Sequence, residues 1–265
     1  MPYEFVVVVI AAILAGIGTG LVGLSAATIM IPLLIVLCPS FQSEHGVYMA
    51  GAIALASDIL GSAVASTVYA KNKNIDLKHG WILLTCVLVM CLIGSILAFF
   101  VQQNVLGTFS LSLCILVGLK FIIKPETASI GVEFEDNKLS TKQIVCSIIF
   151  GSVIGFVTGF FGSGGGMIML IVLTWFIGYN RKNAVGTSTF IMTFTALIGS
   201  VSHIIMEPDI IKDCWSFLVI AMICATIASI GSSQFANKVK PKTSGLITGI
   251  ILFGVGIALF LLNYI

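Results

Sequence analysis

Charge is what this sequence has least of. Of its 265 residues, 9% are Asp, Glu, Lys or Arg, against about 25% in soluble domains. Hydrophobic residues make up 58% and the mean hydropathy is +1.14. That leaves too little polar surface to clothe a water-soluble globule, and no soluble catalytic domain fits beside the apolar segments. Strict polar–apolar alternation is missing as well, which excludes the strands of a membrane barrel. None of the seven cysteines forms a C-x-x-C pair and no Cys/His cluster has zinc spacing, so neither a redox motif nor a metal site is expected. Cys86, Cys91, Cys114, Cys146 and Cys224 fall inside apolar runs and read as small fillers. Cys38 and Cys214 sit near segment ends, where they could pair if that side is oxidising. The start, MPYEFVVVVI, lacks a basic n-region and reads as a first membrane segment rather than a cleaved signal peptide.

What is present is a series of apolar runs. Five lie at about 4–21, 23–37, 47–70, 81–101 and 105–123, and five more at about 142–160, 164–178, 184–206, 215–236 and 244–263. Lipid forbids unpaired backbone, so these are expected to be helices. The second run of each set has 15 residues, only about 22 Å of helix, too short to cross a core about 30 Å thick. The long hydrophilic stretch, 125–141, reads as a solvated linker, and Ser140 with Gln143 forms a capping-box pattern before the next helix. Three parts are expected: repeat 1 at 1–124, a cytoplasmic linker at 125–141 and repeat 2 at 142–265.

The two halves resemble each other. Residues 16–35 lie over 155–174 without a gap, pairing Gly16 with Gly155, Thr19 with Thr158, Gly20 with Gly159 and Gly23 with Gly162. Further on, Gly51 faces Gly186 and Trp81 faces Trp215. Charge separates the halves. The loop 71–79 holds Lys71, Lys73 and Lys78, whereas its counterpart holds Glu207, Asp209 and Asp213 against Lys212. The bias reverses after the second segment, with Glu44 in one half and Arg181 and Lys182 in the other. It reverses again between the last two segments, uncharged in the first half and bearing Lys238, Lys240 and Lys242 in the second. Short loops rich in Lys and Arg favour the cytoplasm. The expected fold is an all-α polytopic membrane protein with two inverted-topology repeats. It has roughly eight to ten membrane segments, including short or re-entrant helices, and both termini outside the cell membrane. That architecture is common among secondary transporters.

Gly162-Ser163-Gly164-Gly165-Gly166 is the strongest local feature. Glycine costs a helix up to about 1 kcal/mol per residue, so this block suits a break that offers backbone N–H groups to an anion. Close packing through small residues is the competing reading, and the better one for Gly16-x-x-x-Gly20 and Gly155-x-x-x-Gly159. No Lys-Ser/Thr follows the glycines, so this is no nucleotide phosphate loop. Half one has Gly23-Leu24-Ser25-Ala26-Ala27 in its place, so the two half-sites are expected to be unequal. Gly186-Thr187-Ser188-Thr189 opens a later segment, with Thr193 and Thr195 below, where the hydroxyls can cap the helix, bond between helices or donate to an anion. Asp58 lies mid-segment, and a carboxyl at such a depth is a functional candidate by default. It is the candidate for proton coupling, unless it is a structural carboxyl bonded to Ser57 or Ser62. His203 reads as interfacial.

These residues resemble the TauE/SafE family of membrane permeases, associated with sulfite and organosulfonate export. The family's G-x-x-x-G-x-x-G-x-G-G-G element is matched at 155–166, and its A-x-G-T-S element at Ala184, Gly186, Thr187 and Ser188. Half one keeps a weaker copy at 16–27 with Pro32 and departs in lacking the triple glycine and the Thr-Ser pair. The resemblance implies an anion permease of broad substrate class.

The expected function is a secondary transporter of small anions, such as sulfite, sulfonates or carboxylates, working by alternating access. Its substrate site is expected at Gly162, Ser163, Gly164, Gly165, Gly166, Thr187, Ser188, Gly23 and Ser25. Gly164→Val or Gly165→Val is expected to abolish transport without preventing insertion. Expected partners are the anionic solute, the lipid bilayer and, as an option, further copies of the chain. No cofactor, metal or nucleic acid is expected. The alternatives are a channel or scaffold, or an intramembrane hydrolase pairing Ser163 with His203.

Overall fold

The computed structural model describes residues 2–43, 46–101, 103–125, 140–162, 165–206 and 208–264. Within them the chain forms α1 (Pro2–Val22), α2 (Ala27–Leu37), α3 (Gly46–Lys71), α4 (Leu77–Ala98) and α5 (Gln103–Ile123). It continues with α6 (Thr141–Phe161), α7 (Gly165–Ile171), α8 (Arg181–Met206), α9 (Asp209–Lys238) and α10 (Pro241–Tyr264). A 3-10 turn, Pro39–Phe41, follows α2, and a π-helical stretch, Val172–Ile177, extends α7. Among the described residues, 7 helical stretches are long and apolar enough to cross a bilayer. Most of the linker, and with it Glu126, Glu133, Glu135 and Asp136, lies outside the described residues.

Local chemistry explains the boundaries. Ser140 and Gln143 close a reciprocal capping box at the start of α6, satisfying two of the orphan donors a helix leaves there. Pro241 opens α10, where its missing N–H has no intrahelical partner to lose. α1 and α6 both stop at a glycine in the left-handed region, Gly23 at φ 69° and Gly162 at φ 65°, a conformation that costs other residues about 1–2 kcal/mol. The helices beyond these stops are short. The 11 residues of α2 give about 17 Å.

α1 lies along α9 and α4 along α6, while α3 packs on α8 and α5 on α10. When α1–α5 are matched in order with α6–α10, the first two pairings exchange and the last two map onto themselves. The G-x-x-x-G pairs form the exchanging seams. A methyl group on Gly16 would lie 2.3 Å from the Ala225 carbonyl oxygen, and one on Gly20 would lie 2.7 Å from that of Ser229. On the other seam, Gly155 would meet the Val87 oxygen at 2.3 Å and Gly159 the Cys91 oxygen at 2.1 Å. These four are close-packing glycines.

Three lysine-bearing connections meet at one end of the bundle. Asn74 donates to the Asn237 side chain at 3.4 Å, Lys182 donates to the Asn237 carbonyl at 3.3 Å, and Arg181 donates to the Pro125 carbonyl at 2.7 Å. At the other end, Glu4 accepts from the Ser40 amide and hydroxyl at 3.1 and 2.8 Å. There Phe217 of α9 packs 4.6 Å from Phe5 and 5.9 Å from Phe41. Cys38 and Cys214 are both buried in the apolar core as free thiols.

Candidate functional site

The break between α1 and α2 leaves backbone donors without helical partners deep in the bundle, and Asp58 of α3 supplies the acceptor. Its carboxyl accepts from the Ser25 hydroxyl at 2.5 Å and the Ala26 amide at 2.8 Å, with the Thr19 hydroxyl, which also reaches the Ala15 carbonyl at 3.1 Å, a weaker contact at 3.4 Å. A buried carboxylate is tolerable only with such a shell. The serines adjacent to Asp58 in sequence do not hold it. Ser57 donates to the Ile53 carbonyl, and Ser62 donates to the backbone carbonyl of Asp58 itself. In both cases the hydroxyl closes on its own helix one turn back and is spent there.

The second break meets the first. A methyl group on Gly166 would lie 2.4 Å from the Gly23 carbonyl oxygen and 2.9 Å from the Ser25 nitrogen. Gly162 faces Gly51 of α3, and Gly23 faces Ser188 of α8, so each break rests on the helix that opens the later part of the other half. Between them lies a cavity of about 10 Å3, lined by Ser25, Asp58, Thr158, Gly166, Met192 and Thr195 among others. Room for about one water is what such a volume offers. The two breaks are therefore closed around the centre.

The two breaks differ chemically. The Gly51/Gly186 register puts Thr193 in half two where half one has Asp58. The first break is thus closed by the protein's own carboxyl group, whereas half two has a hydroxyl at the matching position. Thr28, in the first turn of α2, is buried and its hydroxyl has no hydrogen-bond partner among the described residues.

Of the residues singled out from sequence, the structure gathers Ser25, Asp58, Gly165 and Gly166 around the cavity, with Gly23 in contact. Gly162 sits at the break but lines the Gly51 side. Ser163 and Gly164 lie outside the described residues. Ser188 donates to the Val185 carbonyl and backs onto Gly23. Thr187 points elsewhere, accepting from the Asp76 amide at 3.1 Å in the connection between α3 and α4. His203, in the last turn of α8, is enclosed by neighbouring helices rather than exposed. It is 2% exposed, stacked 4.0 Å from the Tyr48 ring, with Nδ1 2.8 Å from both the Ser95 hydroxyl and the Gly199 carbonyl. The aromatic face of Tyr48 and these two oxygens give it a dry niche between α3, α4 and α8. Among the described residues no group of three or more His, Cys, Asp or Glu gathers as a metal site. Thr195, one of the hydroxyls singled out below Thr187 and Ser188, lines the cavity too, whereas Thr158 and Met192 were missed as lining residues. Thr158 carried a signal, since it aligns with Thr19, whose hydroxyl lies 3.4 Å from the Asp58 carboxyl.

The family described as Sulfite exporter TauE/SafE matches residues 8–259. A probable membrane transporter protein of Bacillus subtilis, YunE, is 26% identical over 266 residues, covering 96% of each chain. A probable membrane transporter protein of Methanocaldococcus jannaschii is 25% identical over 252 residues, covering 92% of this chain and 91% of its own. One from Haemophilus influenzae is 23% identical over 181 residues, 68% of each.

Proposed function

We propose, from the premise that this chain belongs to the Sulfite exporter TauE/SafE family, that it is a secondary transporter of small oxyanions, sulfite or a sulfonate first. The relatives are named as probable membrane transporters, and the reading for this chain goes further, to substrate class and mechanism. The observation that carries it is the meeting of two glycine breaks at a closed cavity inside the bundle, with Ser25, Thr158, Gly166 and Asp58 on its wall. Broken helices at mid-depth present backbone donors where lipid-facing helices cannot. The buried Thr28 hydroxyl adds a donor near the first break.

The two halves lie inverted in this reading, and the meeting of the Asn74, Lys182 and Asn237 connections at one end supports it. Cytoplasmic placement of that end follows from its lysines, with both termini on the outer face and the cell membrane as the location. Alternating access is the parting of the halves at one end or the other of the α3–α8 seam.

Asp58 couples the anion to a proton. Two unit charges about 4 Å apart at an effective dielectric constant near 20 repel by about 4 kcal/mol. An anion entering beside the carboxylate therefore binds best when Asp58 is protonated, and the two binding events are reciprocal. The direct test is flux of labelled sulfite, a sulfonate and a carboxylate into proteoliposomes. Saturable flux of an oxyanion that responds to a pH gradient is expected, and its loss in Gly166→Val, whose side chain would occupy the meeting point. Flux that rises linearly without saturation would instead make the protein a channel.

A further inference from the structure

A second, much larger cavity opens toward the lysine-bearing end of the α3–α8 seam. It measures about 410 Å3 and is lined by Ser66, Thr67, Lys73, Ile75, Leu77 and Phe190 among others. Three polar residues at four-residue spacing on α3 connect it to the centre. Asp58 lines the small cavity and Ser66 lines the large one. Ser62, one turn from each, donates to the Asp58 carbonyl and lies 3.0 Å from the Thr193 hydroxyl of α8. Thr193 in turn donates to the Thr189 carbonyl, so Ser62 and Thr193 touch oxygen to oxygen, with Phe190 one turn away on α8, at a level of α3 between Asp58 and Ser66.

Lys73 is at the mouth, and its backbone is unusual. It is the non-glycine residue with positive φ, at 56°, among the described residues. It occupies the C′ position of a Schellman ending on α3: its own amide donates to the Ala70 carbonyl and the Asn74 amide to the Tyr69 carbonyl, each at 2.9 Å. Glycine is the usual residue there because a side chain strains the left-handed backbone. A lysine in that position exposes its ammonium beside the cavity at the cost of backbone strain, and such strain collects at functional sites.

We propose that this vestibule is the entrance through which the oxyanion reaches the central cavity, with Lys73 as its capturing cation and the Ser62–Thr193 contact, where α3 meets α8, as the inner gate. The inference rests on the transporter reading. An anionic lipid headgroup offers the same charge and oxygens as a free oxyanion, so vesicle composition separates the sources.

The experiment is sulfite flux in proteoliposomes of pure phosphatidylcholine and in others containing phosphatidylglycerol. The chains are unsubstituted protein, Lys73→Gly, Lys73→Glu, Lys73→Arg and Ser66→Trp, with thermal stability of each measured in detergent. In phosphatidylcholine, Lys73→Gly raises KM about fivefold or more with kcat within twofold, while its melting temperature stays equal or rises because the strain is gone. Lys73→Glu raises KM further, Lys73→Arg restores it, and Ser66→Trp cuts kcat at least tenfold. A wild-type KM in Lys73→Gly and Lys73→Glu, alongside normal flux in Ser66→Trp, overturns the entrance while leaving the transporter reading intact. A KM effect confined to phosphatidylglycerol vesicles assigns Lys73 to lipid and also overturns it. Absence of saturable flux in the unsubstituted protein overturns both.

Discussion

Asp58 and Gly166 face each other across the same small cavity, and their substitutions separate chemistry from shape. Asn at position 58 keeps the size of the side chain, and the Ser25 hydroxyl can turn from donor to acceptor. Asp58→Asn is therefore expected to fold, to bind the anion as the protonated carboxyl does, and to lose the dependence of flux on pH. In the unsubstituted protein KM falls as pH falls, because protonation removes the like charge before the anion enters. A pH series of sulfite flux in the two proteins checks this, and an unchanged pH response in Asp58→Asn removes Asp58 from coupling. Asp58→Ala is a different perturbation. It strips the acceptor from the Ala26 amide and the Ser25 hydroxyl, and a buried donor left unpaired costs about 1–3 kcal/mol.

At the scale of elements, glycine has two distinct uses here, and substitution tells them apart. Gly159 of α6 touches the Cys91 carbonyl of α4, whereas a side chain on Gly231 of α9 or Gly254 of α10 would meet nothing within 4 Å. Gly159→Ala is expected to destabilise by about 1–3 kcal/mol through overpacking, while Gly231→Ala and Gly254→Ala are neutral or slightly stabilising. Thermal melts of the three purified variants decide it. Elements of this kind were legible in sequence, because apolar runs, Ser140 with Gln143 and the aligned Gly23 and Gly162 are all local signals. Helix rotation was not. That Thr187 turns toward Asp76, that His203 is enclosed by Tyr48 and Ser95, and that Asp58 is held from residues 32 to 39 positions earlier are all set by which helix packs on which. A run of uniformly apolar residues carries no moment to announce its inner face.

The whole molecule joins these scales through its pairing pattern. Each break leans on a long helix of the other half, so the α3–α8 seam can part at either end only if the halves move as bodies. The proposed inverted arrangement gives the two halves opposite membrane orientations, and the lysines report on that. Lys73, Lys182 and Lys240 belong to connections of both halves, and hydrogen bonds to Asn237, three residues before Lys240, come from Asn74 and Lys182. Lys212 lies at the start of α9, near the end where Phe217 meets Phe5. A membrane-impermeant amine reagent applied to the outside of intact cells is expected to modify Lys212 and spare Lys73, Lys182 and Lys240. Permeabilisation should then expose those three. Labelling of Lys73 and Lys212 from the same side would place the halves in parallel and overturn the inverted-repeat reading.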